Sequence, residues 1–583
     1  MTKLELWAPR VAGVLFAIPV LLVRYPPMTD LALHEAVVSA LRHYGDTKYF
    51  PDGLYQLNLG HPNQLFYLAA WALSYPFGTT WALKLIVAAT EIGLYLAAAR
   101  FARHVGTPRW TALLVGVLGY GWMFYWGLLA NLIGLALLLA LIPYLDRFVA
   151  KPTVRAGLGS FGAMVLLYLA HETAMLCACF MMGLFALGYG VFTRAFIARL
   201  LPPLGGFGIG VLHIWWAQRM RPDFNRAVPT LFDPLWTKLK AIPPVLFAGY
   251  QPEYVPILMF CVAVLAILLF AIERWRERPP LRGTPARELY LRYRFEIFAG
   301  LLLPLYFVLP LTLSGTTLFY HRFFPPAYAV LAIVLAPSAT AVKKWRIPRF
   351  AAAIVPVCSL AITWPSFIDS HILTRDLDTL VEMTEYDAAI VVVDVGAAPD
   401  RLFSASTLEG HAMAKRGGRT LFDFTRSPIA PAFLNPRYAW DEPWERMQHK
   451  PVLMRPEHEF DHFRYLYFHS QTPIYHTVAA TALHPDARLI ASKGEWSLFE
   501  STHLKHGTLA PDSFLPYPRP HTLRKRMKDV IRKLRGEAIP PEIVQEPPPG
   551  WRGPAMALPG PAAEPKEEEA DPLLGAAGSG PKP

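Results

Sequence analysis

The sequence predicts a polytopic all-α membrane protein of about eleven transmembrane helices, followed by a small extracytoplasmic α/β domain and a disordered tail. Three observations carry this. Hydrophobic residues make up 53% of the 583 positions and charged residues only 17%, a balance outside that of ordinary soluble domains. Apolar runs of spanning length recur up to Ile368 and then stop. Beyond them come short β-branched runs bounded by turn residues, and finally a segment rich in Pro, Ala, Gly and Glu.

A bilayer core of about 30 Å needs roughly 20 apolar residues as helix. The candidate spans are 11–23, 79–99, 110–127, 130–146, 156–170, 173–192, 200–216, 254–273, 295–314, 324–342 and 350–368. The first has no small-residue cleavage site and reads as a retained anchor with a cytoplasmic N-terminus. That choice puts 21 Lys/Arg on the cytoplasmic side, Arg10, Arg100, Arg103, Arg109 and Arg147 among them, against nine in the outer loops. The net charge of +12 is therefore a topology signal, and no nucleic-acid partner is expected. The apolar, aromatic stretch 64–77 is short for a span and reads as a helix on the outer membrane face. The four cysteines all lie in apolar runs, so no disulfide framework is expected.

Three regions follow: 1–370, a transmembrane domain with a long first outer loop at 24–78; 371–505, an extracytoplasmic α/β domain; and 506–583, a basic helix with a Pro-rich tail. Strands are expected at 387–396, 463–468 and within 487–500. In 521–536, Leu523, Met527, Val530, Ile531 and Leu534 recur at helical spacing among basic residues, which suits either anionic lipid or a plain solvated helix.

The first loop concentrates groups able to do chemistry. If 30–42 is a helix, Asp30 and His34 lie one turn apart, so that one can position the other or the two can share a divalent cation, while Glu35 points elsewhere. A solvated amphipathic helix would show the same pattern. Lys84 and Glu91 share a face of the second span, and a charge inside a membrane is a default functional pointer. His171-Glu172 and His321-Arg322 fall at outer turns on the side of Asp30, where a guanidinium fork suits a lipid phosphate. His458-Glu459-Phe460-Asp461-His462 matches the H-E-x-x-H zinc pattern, but it runs straight into the strand-like 463–468 and no dedicated metal set is assigned.

A first span, a long outer loop with an early Asp30, a helix after His61-Pro62-Asn63 and a second span opening Ala82-Leu83-Lys84-Leu85 together resemble the GT-C superfamily of integral membrane glycosyltransferases. That superfamily includes protein O-mannosyltransferases and the lipid A aminoarabinose transferase. The chain is similar to a bacterial branch whose outer domain carries a segment like His411-Ala412-Met413-Ala414-Lys415-Arg416-Gly417-Gly418. The resemblance implies transfer of a sugar from a polyprenyl-phosphate carrier to a glycan, lipid or protein acceptor at the outer face of the bacterial cytoplasmic membrane. It implies Asp30 as base with His34 beside it, and Glu35, His61, Glu91, His171, Glu172, His321 and Arg322 as substrate-binding candidates. Thr29 and Leu31 flank Asp30 where better-known members pair two acids, so a catalytically silent relative that binds lipid-linked glycan or scaffolds an envelope complex is the alternative.

Overall fold

The computed structural model describes residues 3–191, 193–220, 230–247, 254–277, 283–313, 317–338, 347–395, 405–435, 460–483, 487–501 and 522–537. The chain forms two compact units, one of Met1–Leu31, Leu57–His371 and Ser427–Phe433, the other of Ala32–Gln56, Ile372–Arg426 and Leu434–Pro583. The expected first loop, 24–78, is thus shared between them.

The first unit is helical. Among the described residues, five helices are long and apolar enough to cross a membrane: Thr79–His104, Leu129–Ala150, Arg194–Ala217, Tyr254–Glu277 and Ala352–Val381. Leu6–Leu22, Leu65–Phe77, Val154–Ala170 and Glu172–Leu187 are shorter apolar helices. Helix Lys3–Leu22 packs closely on Thr79–His104 because Gly13 lets the chains meet; a Cβ there would lie 3.0 Å from the Ile92 Cα. Lys84 does not snorkel to solvent. Its Nζ donates to the Leu21 and Val23 carbonyls at 3.0 and 2.6 Å, capping orphan acceptors at the end of the first helix.

The expected span 110–127 is not one helix. It breaks into Arg109–Thr111, Ala112–Gly116, Val117–Tyr120 and Trp122–Trp126. Glycine explains the break. Gly121 is extended, Gly127 is left-handed at φ 81, and a Cβ at Gly116 or Gly119 would overlap Tyr95 or Glu91. Backbone approach, not span length, is what this stretch encodes. The expected span 324–342 is likewise shorter, with its helix at Phe324–Val334, and residues 339–342 lie outside the described residues. A helix that was not expected, Leu235–Phe247, contains Pro243 and Pro244.

The second unit has a four-stranded sheet. Ile390–Asp394 runs parallel to Tyr465–His469, which pairs antiparallel with Trp496–Ser501, and that strand pairs with the edge strand Ala487–Lys493. The unbroken apolar run of Ile390–Val393 fits a strand covered on both faces. A two-residue turn with Gly494 at φ 55 joins the last two strands. Helix Leu523–Leu534 buries Leu523, Met527 and Ile531, one face at i, i+4 and i+8, in a core with Val391, Val393, Leu466, Phe468 and Phe499. The amphipathic pattern read as a lipid or solvated surface is thus a core face. His458 and Glu459 of the zinc-like pattern, and the tail beyond Glu537, lie outside the described residues.

Candidate functional site

The site is built on the broken segment. Asp30 ends a turn in which the Thr29 and Asp30 amides donate to the Tyr125 and Trp126 carbonyls, at 2.8 and 3.1 Å. These carbonyls are at the C-terminal end of the helix Trp122–Trp126, where intrahelical donors are missing. Gly127 permits the approach, since a Cβ there would press on the Asp30 backbone and Cβ. The half-buried Asp30 side chain accepts no hydrogen bond among the described residues, and burial pushes its carboxyl up to about 7.

At the other end of this short helix, Trp122 stacks on His321 with ring centroids 5.0 Å apart. The helix rises about 1.5 Å per residue, so its four steps separate the two ends by about 6 Å. Arg322 follows His321. Its guanidinium donates to Asn131 Oδ1 at 3.3 Å and the Thr317 carbonyl at 3.4 Å, and Nη1 lies 2.9 Å from His171 Nε2. His171 also caps the helix Glu172–Leu187, with Nδ1 3.1 Å from the Thr173 amide. A neutral imidazole has one lone-pair nitrogen, yet both ring nitrogens face donors, so His171 accepts from only one at a time. Burial pushes His171 and His321 down to about 4, which leaves both neutral beside the guanidinium.

No carboxylate lies within ion-pair distance of Arg322 among the described residues, although Glu172 is near enough for each charge to favour the other. Buried polar atoms without partners surround it: Arg322 Nε, Glu172 Oε2, Asn63 Oδ1, Thr173 Oγ1 and His321 Nδ1. Such groups are costly unless a ligand or water meets them. Asn63 hydrogen-bonds Glu172, and its φ of 64 turns the chain after His61. His61 Nε2 lies 2.7 Å from Asn58 Oδ1, and its Nδ1 lies 2.7 Å from His213 Nε2. His171, Glu172, His321 and Arg322 therefore belong to one part of the first unit, with Asn63, two residues after His61, bonded to Glu172; Asn131 on Arg322 and His213 on His61 are partners that sequence reasoning missed. The signal for Asn131 was a lone amide in the apolar stretch 129–142.

Other expected site residues have other surroundings. Glu91 is buried against Gly119, and both its oxygens lack a partner; no contact joins it to the Arg322 group. His34, in the second unit, is buried with its ring 4.8 Å from that of Phe424. Glu35 is not free to bind substrate. It is fully buried 2.7 Å from His411 Nδ1, whose Nε2 lies 2.9 Å from Asp378, and Lys415 completes the group on Asp378. Two acids and two bases thus cancel. Burial alone would lower the imidazole, but Glu35 and Asp378 outweigh it and hold His411 up at about 9. The glycines of this segment make room: a Cβ on Gly410 would strike the Ala32 carbonyl, and Gly417 and Gly418, at φ 73 and 80, lie against the Tyr49 and Ala388 carbonyls. Among the described residues, no three His, Cys, Asp or Glu side chains gather as a metal-ligand set.

No protein-family model and no curated protein matches the chain. Solved structures do. ArnT from Cupriavidus metallidurans bound to undecaprenyl phosphate aligns with a TM-score of 0.50 at 10% identity, over 86% of this chain and 99% of that one. The same enzyme in the apo state gives 0.48 at 11% identity, over 85% and 97%. An oligosaccharyltransferase of Archaeoglobus fulgidus gives 0.34 at 12% identity, over 81% and 69%. The first likeness shows a shared fold. The chain has the fold of that ArnT, and five of its described helices are long and apolar enough to make it a multi-pass membrane protein.

Proposed function

We propose that the chain is an inverting membrane glycosyltransferase that moves a sugar from a polyprenyl-phosphate carrier to an acceptor hydroxyl, on an envelope glycan, lipid or protein, at the extracytoplasmic face. The observation that carries this reading is a raised carboxyl at one end of a five-residue helix and, next to the His321 ring stacked on its other end, a guanidinium with no carboxylate within ion-pair distance among the described residues. General-base catalysis is most effective with a pKa close to the working pH. In the proposed step Asp30 takes the acceptor hydroxyl proton as that oxygen attacks the anomeric carbon. The bond to the carrier phosphate breaks with its electron pair on the phosphate oxygen, where Arg322 meets the growing charge. Asn131 and His171 hold the guanidinium, and Glu172 favours its charged form from beyond ion-pair distance. Undecaprenyl phosphate bound to the ArnT of the same fold supports the choice of carrier.

The absence of a second acid at Thr29 or Leu31 favours the alternative, a silent relative that binds the lipid-linked glycan. Envelope glycans of cells lacking the protein, rescued with wild type or Asp30→Asn, separate the two. Transferase action predicts a sugar lost in the null, restored by wild type and not by Asp30→Asn. Equal rescue by both favours the silent reading.

A further inference from the structure

A polar cavity lies in the first unit, away from the Arg322 group. It holds about 380 Å³ and is lined by Arg10, Arg100, Arg103, Arg109 and Arg147, with no acidic residue in its wall. Arg147 and Asn131, the partner of Arg322, stand on the same helix Leu129–Ala150. Sixteen residues separate them, which at 1.5 Å each is about 24 Å. This cavity is therefore distinct from the Arg322 group.

Charged residues at a membrane boundary ordinarily spread into water. Here four separate segments aim guanidinium groups into one concave space: helix Lys3–Leu22, the end of Thr79–His104, Arg109–Thr111 and the end of Leu129–Ala150. The negative ends of two helix dipoles suit Arg103 and Arg147, which lie in last turns. They do not account for Arg10, near the start of its helix, or for Arg109. The bonds these side chains do make, Arg10 to the Leu6 carbonyl at 3.0 Å and Arg147 to the Pro143 carbonyl at 2.7 Å, cancel no charge. None of the five has a carboxylate partner among the described residues. Like charges gathered beside apolar wall residues such as Leu6 and Leu96 repel, and an anion reverses the sign of that energy.

We infer that this cavity is a binding site for a phosphate monoester or diester, held by bidentate guanidinium contacts. Two sources carry that chemistry, an anionic lipid headgroup at the membrane boundary and a soluble phosphate.

The test uses the full chain reconstituted in phosphatidylcholine vesicles, with or without phosphatidylglycerol, and reads lipid retained after extraction by native mass spectrometry; a parallel arm titrates inorganic pyrophosphate. Retained phosphatidylglycerol that pyrophosphate does not displace assigns the site to a lipid headgroup, whereas pyrophosphate binding with no selective lipid retention assigns it to a soluble phosphate. In either case Arg103→Gln/Arg109→Gln should weaken binding at least about tenfold, and Arg103→Lys/Arg109→Lys, which keeps the charge but loses the fork, should fall between. Should the glutamine pair fail to fold, Arg109→Gln alone is measured, with a loss of at least about threefold expected. Equal retention of neutral and anionic lipid without pyrophosphate binding, or binding unchanged in the glutamine variants, overturns the inference.

Discussion

Asp30 and Glu35 stand five residues apart, yet their surroundings are opposite. In the first unit, Asp30 has no side-chain partner among the described residues and a carboxyl raised to about 7, and no described carboxylate lies within ion-pair distance of the Arg322 guanidinium. In the second unit, Glu35 is locked to a cationic His411 that also holds Asp378. Burial alone does not distinguish a working acid from a structural one. The count of partners does: unsatisfied groups leave bonds for a ligand to make, and a balanced buried cluster leaves none.

The sharpest way to break this contrast is to remove one charge from the closed cluster. Breaking a buried pair by deleting one partner typically costs about 3–5 kcal/mol, so Glu35→Gln and His411→Ala should destabilise the second unit by about that much in denaturant unfolding. Asp30→Asn should leave stability unchanged or higher at pH 8, because it removes a carboxyl that the fold prefers protonated. Equal losses at the two positions would erase the distinction.

Arg322→Ala tests the open site from its cationic side. A hydrogen bond to a charged group is worth about 1.5–3 kcal/mol, so polyprenyl phosphate should bind at least about tenfold more weakly with the helical content unchanged. Unaltered affinity would remove Arg322 from the site. Gly119→Ala should cost about 1–3 kcal/mol through overpacking against Glu91; a neutral result in thermal unfolding would show that the Glu91 side chain swings clear.

A pH series sharpens the closed region. His411 is raised from 6.5 to about 9 in the fold, so its contribution is complete below about pH 6.5 and is lost as pH rises through 9. Wild type should therefore lose stability between those values more steeply than His411→Ala. Parallel curves would mean that His411 is not cationic.

Much of this was legible in the residues. Hydropathy located most helices, and the early Asp30, the pairs His171-Glu172 and His321-Arg322 and the β-branched runs all lie among the described residues. What was not legible depended on long-range contact. Glu35 and His411 are 376 positions apart, so an acid on a loop helix read as a substrate-binding candidate, and the His411–Gly418 segment had no visible partner. The stretch 110–127 looked like a span because it is apolar throughout; Gly116, Gly119, Gly121 and Gly127 were the local sign of a break. The basic pattern of Leu523–Leu534 could not say whether its apolar stripe met lipid, water or protein.

The central claim is that Asp30 takes the proton in sugar transfer. The most direct test measures the release of polyprenyl phosphate from its sugar-charged form by wild type and Asp30→Asn, at equal folded amounts from pH 5 to 9. The account predicts a wild-type rate that rises with pH through a limb near 7, where the carboxyl ionises. It also predicts a loss of about 10²–10⁴-fold in Asp30→Asn, with that limb gone. Wild-type rates with the same limb in Asp30→Asn would contradict it.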